Sequence, residues 1–300
     1  MKKILIARFS SAGDILITGP VIRAIKAGRG GIVHFLTSAK FAAAAAMCGA
    51  DKVLISGKTG AGEAAGEKYD AVVDLQNSLK SRIILSSVRA GARSYCQKDA
   101  IGRRLMVLFK WLPRRSRPVS EKYMDAVKRA GISTARVKKK TKAARGSKSV
   151  VIHAGAKWPL KQWPHAAKLA RLLAARGIKV AITGVKDEIE KNDELLYIKG
   201  KNIRNLIGRT DFKGLEQAIK KAGFFAGNDT AAAHMASLNG VPALVFLGPT
   251  VKEFGFITKE NFMIMEKNIS CRPCHLHGGK KCPIGTFECM TGLKPEEAAE

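Results

Sequence analysis

The sequence predicts an α/β chain built from two parallel-sheet domains, on three observations. Apolar runs of strand length alternate with helical patterns along the whole chain. Short polar turns containing glycine follow two of those runs, at Phe9-Ser-Ser-Ala-Gly-Asp14 and at Gly227-Asn-Asp-Thr230. A basic, polar stretch between Val137 and Ser149 separates two such alternations. We place the domain boundary there, with domains 1–145 and 146–300.

The first half reads as strand Ile4–Ala7, helix Ile15–Lys26, strand Gly31–Leu36, helix Phe41–Cys48 and strand Lys52–Ile55. Gly57–Gly66 reads as a loop or frayed helix start, Tyr69–Leu75 as a buried strand, and Leu79–Ala90 and Ser120–Ala130 as helices, the last capped by Ser120 and ended by Gly131. The second half reads as strand Ser149–Ala154, helix Pro164–Arg176 stopped by Gly177, strand Lys179–Thr183, helix Glu188–Leu196, a short strand Ile203–Leu206 and helix Leu215–Ala222. Strand Phe224–Ala226, helix Ala231–Leu238 and strand Ala243–Leu247 follow, and Lys294 opens a last helix. Alternation at this spacing argues for parallel strands with right-handed crossovers. Such sheets bind ligands at the carboxyl ends of their strands, so two halves facing one cleft are expected.

At 300 residues and 46% hydrophobic content the chain can bury two full cores. No apolar run approaches the ~20 residues that span a bilayer. Arg8 and Asp14 interrupt the apolar N-terminus, so a buried first strand is expected there rather than a signal peptide, and a cytoplasmic protein with it. The net charge is +29. From Lys80 to Arg145 there are 20 Lys and Arg against the three acids Asp99, Glu121 and Asp125. Such an excess attracts polyanions, whether nucleic acid, anionic lipid or a phosphorylated glycan, and is equally a solvated basic surface. Only Tyr95, Phe109, Trp111 and Tyr123 fall in that stretch, which gives single-stranded nucleic acid little to stack on.

The helix start after Ala226 offers unpaired N–H groups and a partial positive charge, suited to a phosphate. Asp229, Thr230, Ala231 and His234 lie on it. Asp14 begins a helix at the end of the first strand, where it is either a cap or a general base. In Lys157-Trp-Pro-Leu-Lys-Gln-Trp-Pro164 the lysines Lys157 and Lys161 charge a loop rim while Trp158 and Trp163 pack it. Pro164 suits the first turn of the helix after it. Glu188 lies in the segment Thr183-Gly-Val-Lys-Asp-Glu188 after the strand Lys179–Thr183 and is a candidate for ribose hydroxyls. Cys271, Cys274, Cys282 and Cys289 follow a CxxC-x7-C-x6-C pattern with His275 and His277 between them. That pattern fits either a tetrahedral zinc site or free thiols; free thiols, and no metal, are the expectation.

Taken together, the segments Phe9–Lys26, Tyr69–Ser81, Gly155–Pro164, Gly227–Thr250 and Cys271–Met290 resemble the ADP-heptose:lipopolysaccharide heptosyltransferases, glycosyltransferase family 9. The resemblance implies a GT-B fold of two Rossmann-like domains facing a central cleft. It implies an inverting, metal-independent transferase without a cofactor, with ADP-heptose as donor bound by the C-terminal domain. The acceptor would be the inner core of lipopolysaccharide, bound by the N-terminal domain at the inner face of the inner membrane. Carried over by motif, Asp14 would be the base, and Lys157, Lys161, Glu188, Asp229, Thr230, Ala231 and His234 would bind the donor. Ser10, Ser11, Lys80 and Arg82 would meet the acceptor. The family pattern has glycine where this chain has Ala231. A transferase of the same fold using another nucleotide sugar or acceptor, and a non-enzymatic basic nucleic-acid binder, are the alternatives.

Overall fold

A computed structural model describes residues 1–28, 31–58, 60–111, 117–137, 148–189 and 193–300. The chain divides into two compact units, Met1–Lys98 with Arg117–Lys139, and Asp99–Ser116 with Lys140–Glu300. The expected boundary near residue 145 lies outside the described residues.

Among the described residues the first unit carries β1 (Lys2–Ala7), α1 (Ala12–Leu16), α2 (Gly19–Ala27), β2 (Gly31–Thr37), α3 (Ala42–Met47), β3 (Lys52–Ile55), β4 (Lys68–Asp74), α4 (Leu79–Ser86) and β5 (Arg89–Tyr95). The next helix, α5 (Ala100–Leu108), groups with the second unit, and α6 (Val119–Arg129) returns to the first. The sheet runs β3-β2-β1-β4-β5 with every pairing parallel. β1 lies at its centre, and Ile4, Leu5, Ile6 and Ala7 are all buried. A strand covered on both faces has no polar alternation, which is why its sequence is a continuous apolar run.

The second unit continues with β6 (Ser149–His153), α7 (Ala166–Ala175), β7 (Lys179–Thr183), α8 (Lys186–Ile189), α9 (Asp193–Leu196), β8 (Ile203–Asn205), α10 (Phe212–Lys221), β9 (Phe224–Asn228), α11 (Ala231–Leu238), β10 (Ala243–Leu247), β11 (Met263–Glu266), α12 (Glu288–Thr291) and α13 (Pro295–Ala298). Its sheet runs β11-β10-β9-β6-β7-β8, again with parallel pairings. α7 packs on β7 and α11 on β9 and β10. Among the described residues no helix is long and apolar enough to cross a membrane.

Four departures from the sequence reading have physical causes. The helix expected over Ile15–Lys26 is broken into α1 and α2. Pro20 lacks an N–H and takes the first turn of the second piece, and the Thr18 hydroxyl donates back to Ile15 O at 2.6 Å. The helix expected to reach Ala90 stops at Ser86, and Arg89–Tyr95 forms an edge strand. Its residues Arg-Ala-Gly-Ala-Arg-Ser-Tyr carry almost no apolar signal, because only Ser94 among them is buried. Pro164 does not enter α7, which is capped at His165; the Trp163 backbone N–H is instead held by Asn228 Oδ1 at 3.0 Å. Finally, the first domain is not continuous to residue 145, because Met106 and Val107 of α5 pack with Val251, Phe254, Phe256 and Leu276 of the second unit.

Phe254 is 2% exposed at the centre of that cluster. Phe254→Ala is expected to cost about 3–5 kcal/mol in urea unfolding, the price of a large core cavity.

Candidate functional site

In the first unit, Asp14 stands in the first turn of α1, just beyond the carboxyl end of the central strand β1. Its Oδ2 accepts from the Ser11 backbone N–H at 3.2 Å and from Ser11 Oγ at 2.7 Å. The capping role read from the sequence is therefore present, with Asp14 reaching back to the cap residue. Its Oδ1 faces Arg8 Nη2 at 2.8 Å and the Tyr123 hydroxyl at 3.5 Å. A cap needs neither of those, and both come from elements that sequence spacing does not connect. The Arg8 and Asp14 side chains are only 12% and 17% exposed. Burial opposes the Arg8 charge, but the carboxylate of Asp14 and its hydrogen bond help to raise the guanidinium pKa nonetheless. Burial also holds the Tyr123 hydroxyl well above its ordinary range, so it faces Asp14 as a neutral donor.

The loop after β4 borders Arg8 and is organised by a second buried carboxylate. Asp74, 1% exposed, accepts from Gln76 N–H and Asn77 N–H at 2.8 Å each and from Ser81 Oγ at 2.6 Å. That grip holds Asn77 at φ +43°, a left-handed conformation asparagine tolerates. Gln76 Oε1 in turn accepts from Phe9 N–H and Ser10 N–H. Of the expected acceptor contacts, Ser10 and Ser11 belong to this turn. Lys80 and Arg82 lie on the exposed face of α4, with Arg82 over the Tyr95 ring at 4.9 Å and donating to Asn77 Oδ1 at 3.0 Å.

In the second unit, β9 delivers Asn228 and Asp229 and α11 begins at Ala231 with Thr230 as its cap residue. Asn228 is buried and ties three segments together: it accepts from Trp163 N–H and donates to Ala154 O at 2.9 Å and Gly155 O at 3.2 Å. Asp229 Oδ2 pairs with Lys161 Nζ at 2.5 Å and accepts from Thr250 Oγ1 at 3.3 Å. Both ionic side chains are 14% exposed. Burial resists ionisation of Asp229, yet Lys161, then His234 and Thr250, hold its pKa below the usual carboxylate value. The Thr230 hydroxyl is buried and finds no hydrogen-bond partner. It makes no cap bond to the first N–H groups of α11. His234 is 8% exposed and packs edge-on against Phe262. Ala231, the first residue of the helix, is partly exposed.

The two lysines of the loop behave differently from each other. Lys161 is committed to Asp229, so the rim charge read from the sequence falls to exposed Lys157, which lies 5.6 Å over the Trp158 ring. Trp163 packs the loop as expected, stacking on Phe246 at 3.9 Å and donating to Leu293 O at 3.1 Å. Glu188 lies against the turn after β6: a Cβ on Gly155 would stand 2.8 Å from Glu188 Oε2. Burial, and then Asp187, raises the Glu188 pKa. Arg272, 3% exposed, clamps the turn after β10 by donating to Gly248 O at 2.5 Å and Thr250 O at 2.8 Å. Sequence reasoning passed over Arg8, Tyr123, Asn228, Thr250 and Arg272. Many of their contacts are distant in the chain, as from Tyr123 to Asp14, Asn228 to Trp163 and Arg272 to Gly248.

Cys271, Cys274, Cys282 and Cys289 line one small cavity of about 30 Å³ as free thiols. Backbone N–H groups of Phe287, Ile284, Gly285 and Thr286 bring the Cys282 pKa down against the opposing effect of burial. Burial pushes Cys289 up to about 11. Among the described residues no three His, Cys, Asp or Glu side chains are placed to hold a metal ion.

The sequence profile of glycosyltransferase family 9 (heptosyltransferase) matches residues 62–281. The chain belongs to that family. Family 9 relatives include the lipooligosaccharide heptosyltransferase 2 of Campylobacter jejuni serotype O:2, 32% identical over 119 residues, covering 38% of this chain and 36% of the relative. The Haemophilus influenzae protein of the same name is 25% identical over 224 residues, covering 64% of each chain. The match thus spans between about a third and two thirds of these curated relatives. Two solved structures share the fold. The Escherichia coli ADP-heptose LPS heptosyltransferase II is 18% identical, with a TM-score of 0.70 over 100% of this chain and 96% of that one. The Escherichia coli heptosyltransferase WaaC with ADP-2-deoxy-2-fluoro heptose is 18% identical, with a TM-score of 0.72 over 99% and 98%. The α/β, GT-B fold class expected from the sequence is the one found. The family 9 profile covers Lys80, Arg82 and every donor candidate from Lys157 to His234; Ser10, Ser11 and Asp14 lie before it.

Two outcomes test this geometry. Lys161→Met leaves the Asp229 carboxylate without its cation and is expected to cost about 3 kcal/mol in urea unfolding at neutral pH. In the wild type that contribution is present above the ordinary carboxylate pKa and fades as pH falls through the lowered value of Asp229. His153, at the end of β6, hydrogen-bonds Thr183 Oγ1 at 3.0 Å, and burial pushes its pKa down to about 4. As pH falls from the ordinary histidine pKa near 6.5 toward 4, the unfolded chain takes a proton that the folded one refuses. Stability should drop by about 3 kcal/mol over that window, and His153→Gln should flatten that part of the slope.

Proposed function

We propose that this protein transfers L-glycero-D-manno-heptose from ADP-heptose to the inner core of lipopolysaccharide with inversion at the transferred carbon. Membership of family 9 carries the reading, and the two sites supply chemistry that such a transfer needs. Asp14 is the base: it takes the proton of the acceptor hydroxyl as that oxygen attacks the anomeric carbon. The bond to the donor's β-phosphate breaks, and ADP leaves with the negative charge. The open N–H groups of α11, its positive end and the unpartnered Thr230 hydroxyl meet that charge, with Lys157 beside the neighbouring loop. This provides charge stabilisation from the chain's own groups, in keeping with a reaction that needs no resident metal or cofactor. Asp229 acts through its pairing with Lys161, which sets the shape of the turn before α11. Glu188, with its carboxylate turned to the Gly155 turn, suits ribose hydroxyls of the nucleotide.

The acceptor side is read from charge. The 20 Lys and Arg between Lys80 and Arg145 favour an acceptor bearing acidic sugars and phosphates, presented at an anionic membrane face. A cytoplasmic protein touching the inner membrane peripherally fits that role. The same charge is the whole support for a nucleic-acid binder, and family membership favours the enzyme.

Asp14→Asn should lower transfer to heptose-deficient lipopolysaccharide by at least about 100-fold, followed by mass spectrometry, while ADP affinity by calorimetry changes less than about twofold. Wild-type-like transfer by this variant removes Asp14 as the base. Preferential inhibition by UDP or GDP over ADP would replace the donor with another nucleotide sugar.

A further inference from the structure

We propose that Arg8 is the positioning residue of the Asp14 site, a three-way clamp that aims the carboxylate at the acceptor; the inference rests on the reading of Asp14 as the base. Arg8 directly follows β1, and each nitrogen of its guanidinium holds a different segment. Nε donates to Ser10 O at 2.7 Å, in the turn that leads into α1. Nη1 donates to Leu75 O at 2.6 Å, at the end of β4. Nη2 pairs with Asp14 Oδ1 at 2.8 Å. The guanidinium carbon lies over the Tyr123 ring of α6, 5.8 Å from its centroid. A planar fork presents these donors from three separate nitrogens in fixed directions, a spread that the three N–H groups on the single nitrogen of a lysine do not reproduce.

The consequence for Asp14 follows from the directions of its contacts. The two short ones, from Ser11 Oγ at 2.7 Å and Arg8 Nη2 at 2.8 Å, grip opposite oxygens and so fix the plane of the carboxylate. The Tyr123 contact at 3.5 Å is the longest and weakest, and the one an incoming hydroxyl displaces most easily. A base held in a fixed plane meets the hydroxyl without a further entropy cost, and a misplacement of 1 Å in such a site costs on the order of 100-fold in rate. The titratable groups that act on Arg8 besides Asp14 are Tyr123 on α6 and Cys96, and Lys98 in turn feels both Arg8 and Asp14.

The experiment combines kinetics with a readout that needs no substrate. Arg8→Ala should lose about 100-fold in kcat with ADP affinity unchanged, and free guanidinium at millimolar concentration should restore about tenfold, the worth of one charge-assisted hydrogen bond. Urea at the same concentration should restore nothing. Arg8→Lys keeps the charge and should still lose kcat rather than donor affinity. Wild-type kcat in Arg8→Lys, or a loss in Arg8→Ala that guanidinium does not touch, overturns the assignment. Independently, the Arg8 Nε–H resonance of the unliganded protein should move in Asp14→Asn and stay in place in a Lys80→Ala control; an unmoved resonance in Asp14→Asn overturns the clamp. A wild type that transfers no heptose while showing this resonance shift sinks the function reading and leaves the clamp standing.

Discussion

A charged side chain set at the end of a strand buried on both faces must find its partner within the protein, and the loops of both units are built around that constraint. Arg8 after β1, Asp74 at the end of β4 and Asp229 after β9 all stand in such places. Helices cover the parallel sheets, so little water reaches these groups. Leaving one uncompensated would cost several kcal/mol, more than most single core contacts. Each therefore draws in backbone amides, carbonyls or an opposite charge, and the loops take the course those contacts require.

The two units solve the same problem with opposite signs. In the first, a cation follows the central strand and holds the anion of the next helix, Arg8 to Asp14. In the second, an anion follows the strand and holds the cation of a distant loop, Asp229 to Lys161. The chemistry left over differs accordingly. On the proposed function, the Asp14 carboxylate that Arg8 orients serves the first unit as proton acceptor. In the second, Asp229 is held by Lys161, and the start of α11 with the spare Thr230 hydroxyl serves as anion receptor. A proton acceptor and an anion receptor are the two parts that displacement of a diphosphate by a hydroxyl requires.

Much of the architecture was legible along the chain. The buried strands Ile4–Ala7 and Ala243–Leu247 stand out as continuous apolar runs, and the turns at Asp14 and Asp229 are marked by glycine beside polar residues. Two of the four edge strands were harder. Arg89–Tyr95 buries only Ser94 and carries little apolar signal, and Met263–Glu266, although apolar, is only four residues long with Met263 exposed. The segment around α5 misled because a basic stretch looks like surface whichever unit it packs on. Only the burial of Met106 against Val251 and Phe254 shows where it belongs.

The amino-acid order by itself determined the α/β class, the positions of the strand ends and the residue types that stand there, because hydrophobic period and turn chemistry are local properties. Tertiary structure decided what those residues do. Whether Lys161 charges an open rim or neutralises Asp229, and whether Asp14 merely caps a helix or is also gripped by Arg8 and approached by Tyr123, depends on groups 68, 6 and 109 positions away. Hydrogen-bond direction and the low dielectric of a packed interior set those pairings, and neither is written in the spacing of residues along a chain.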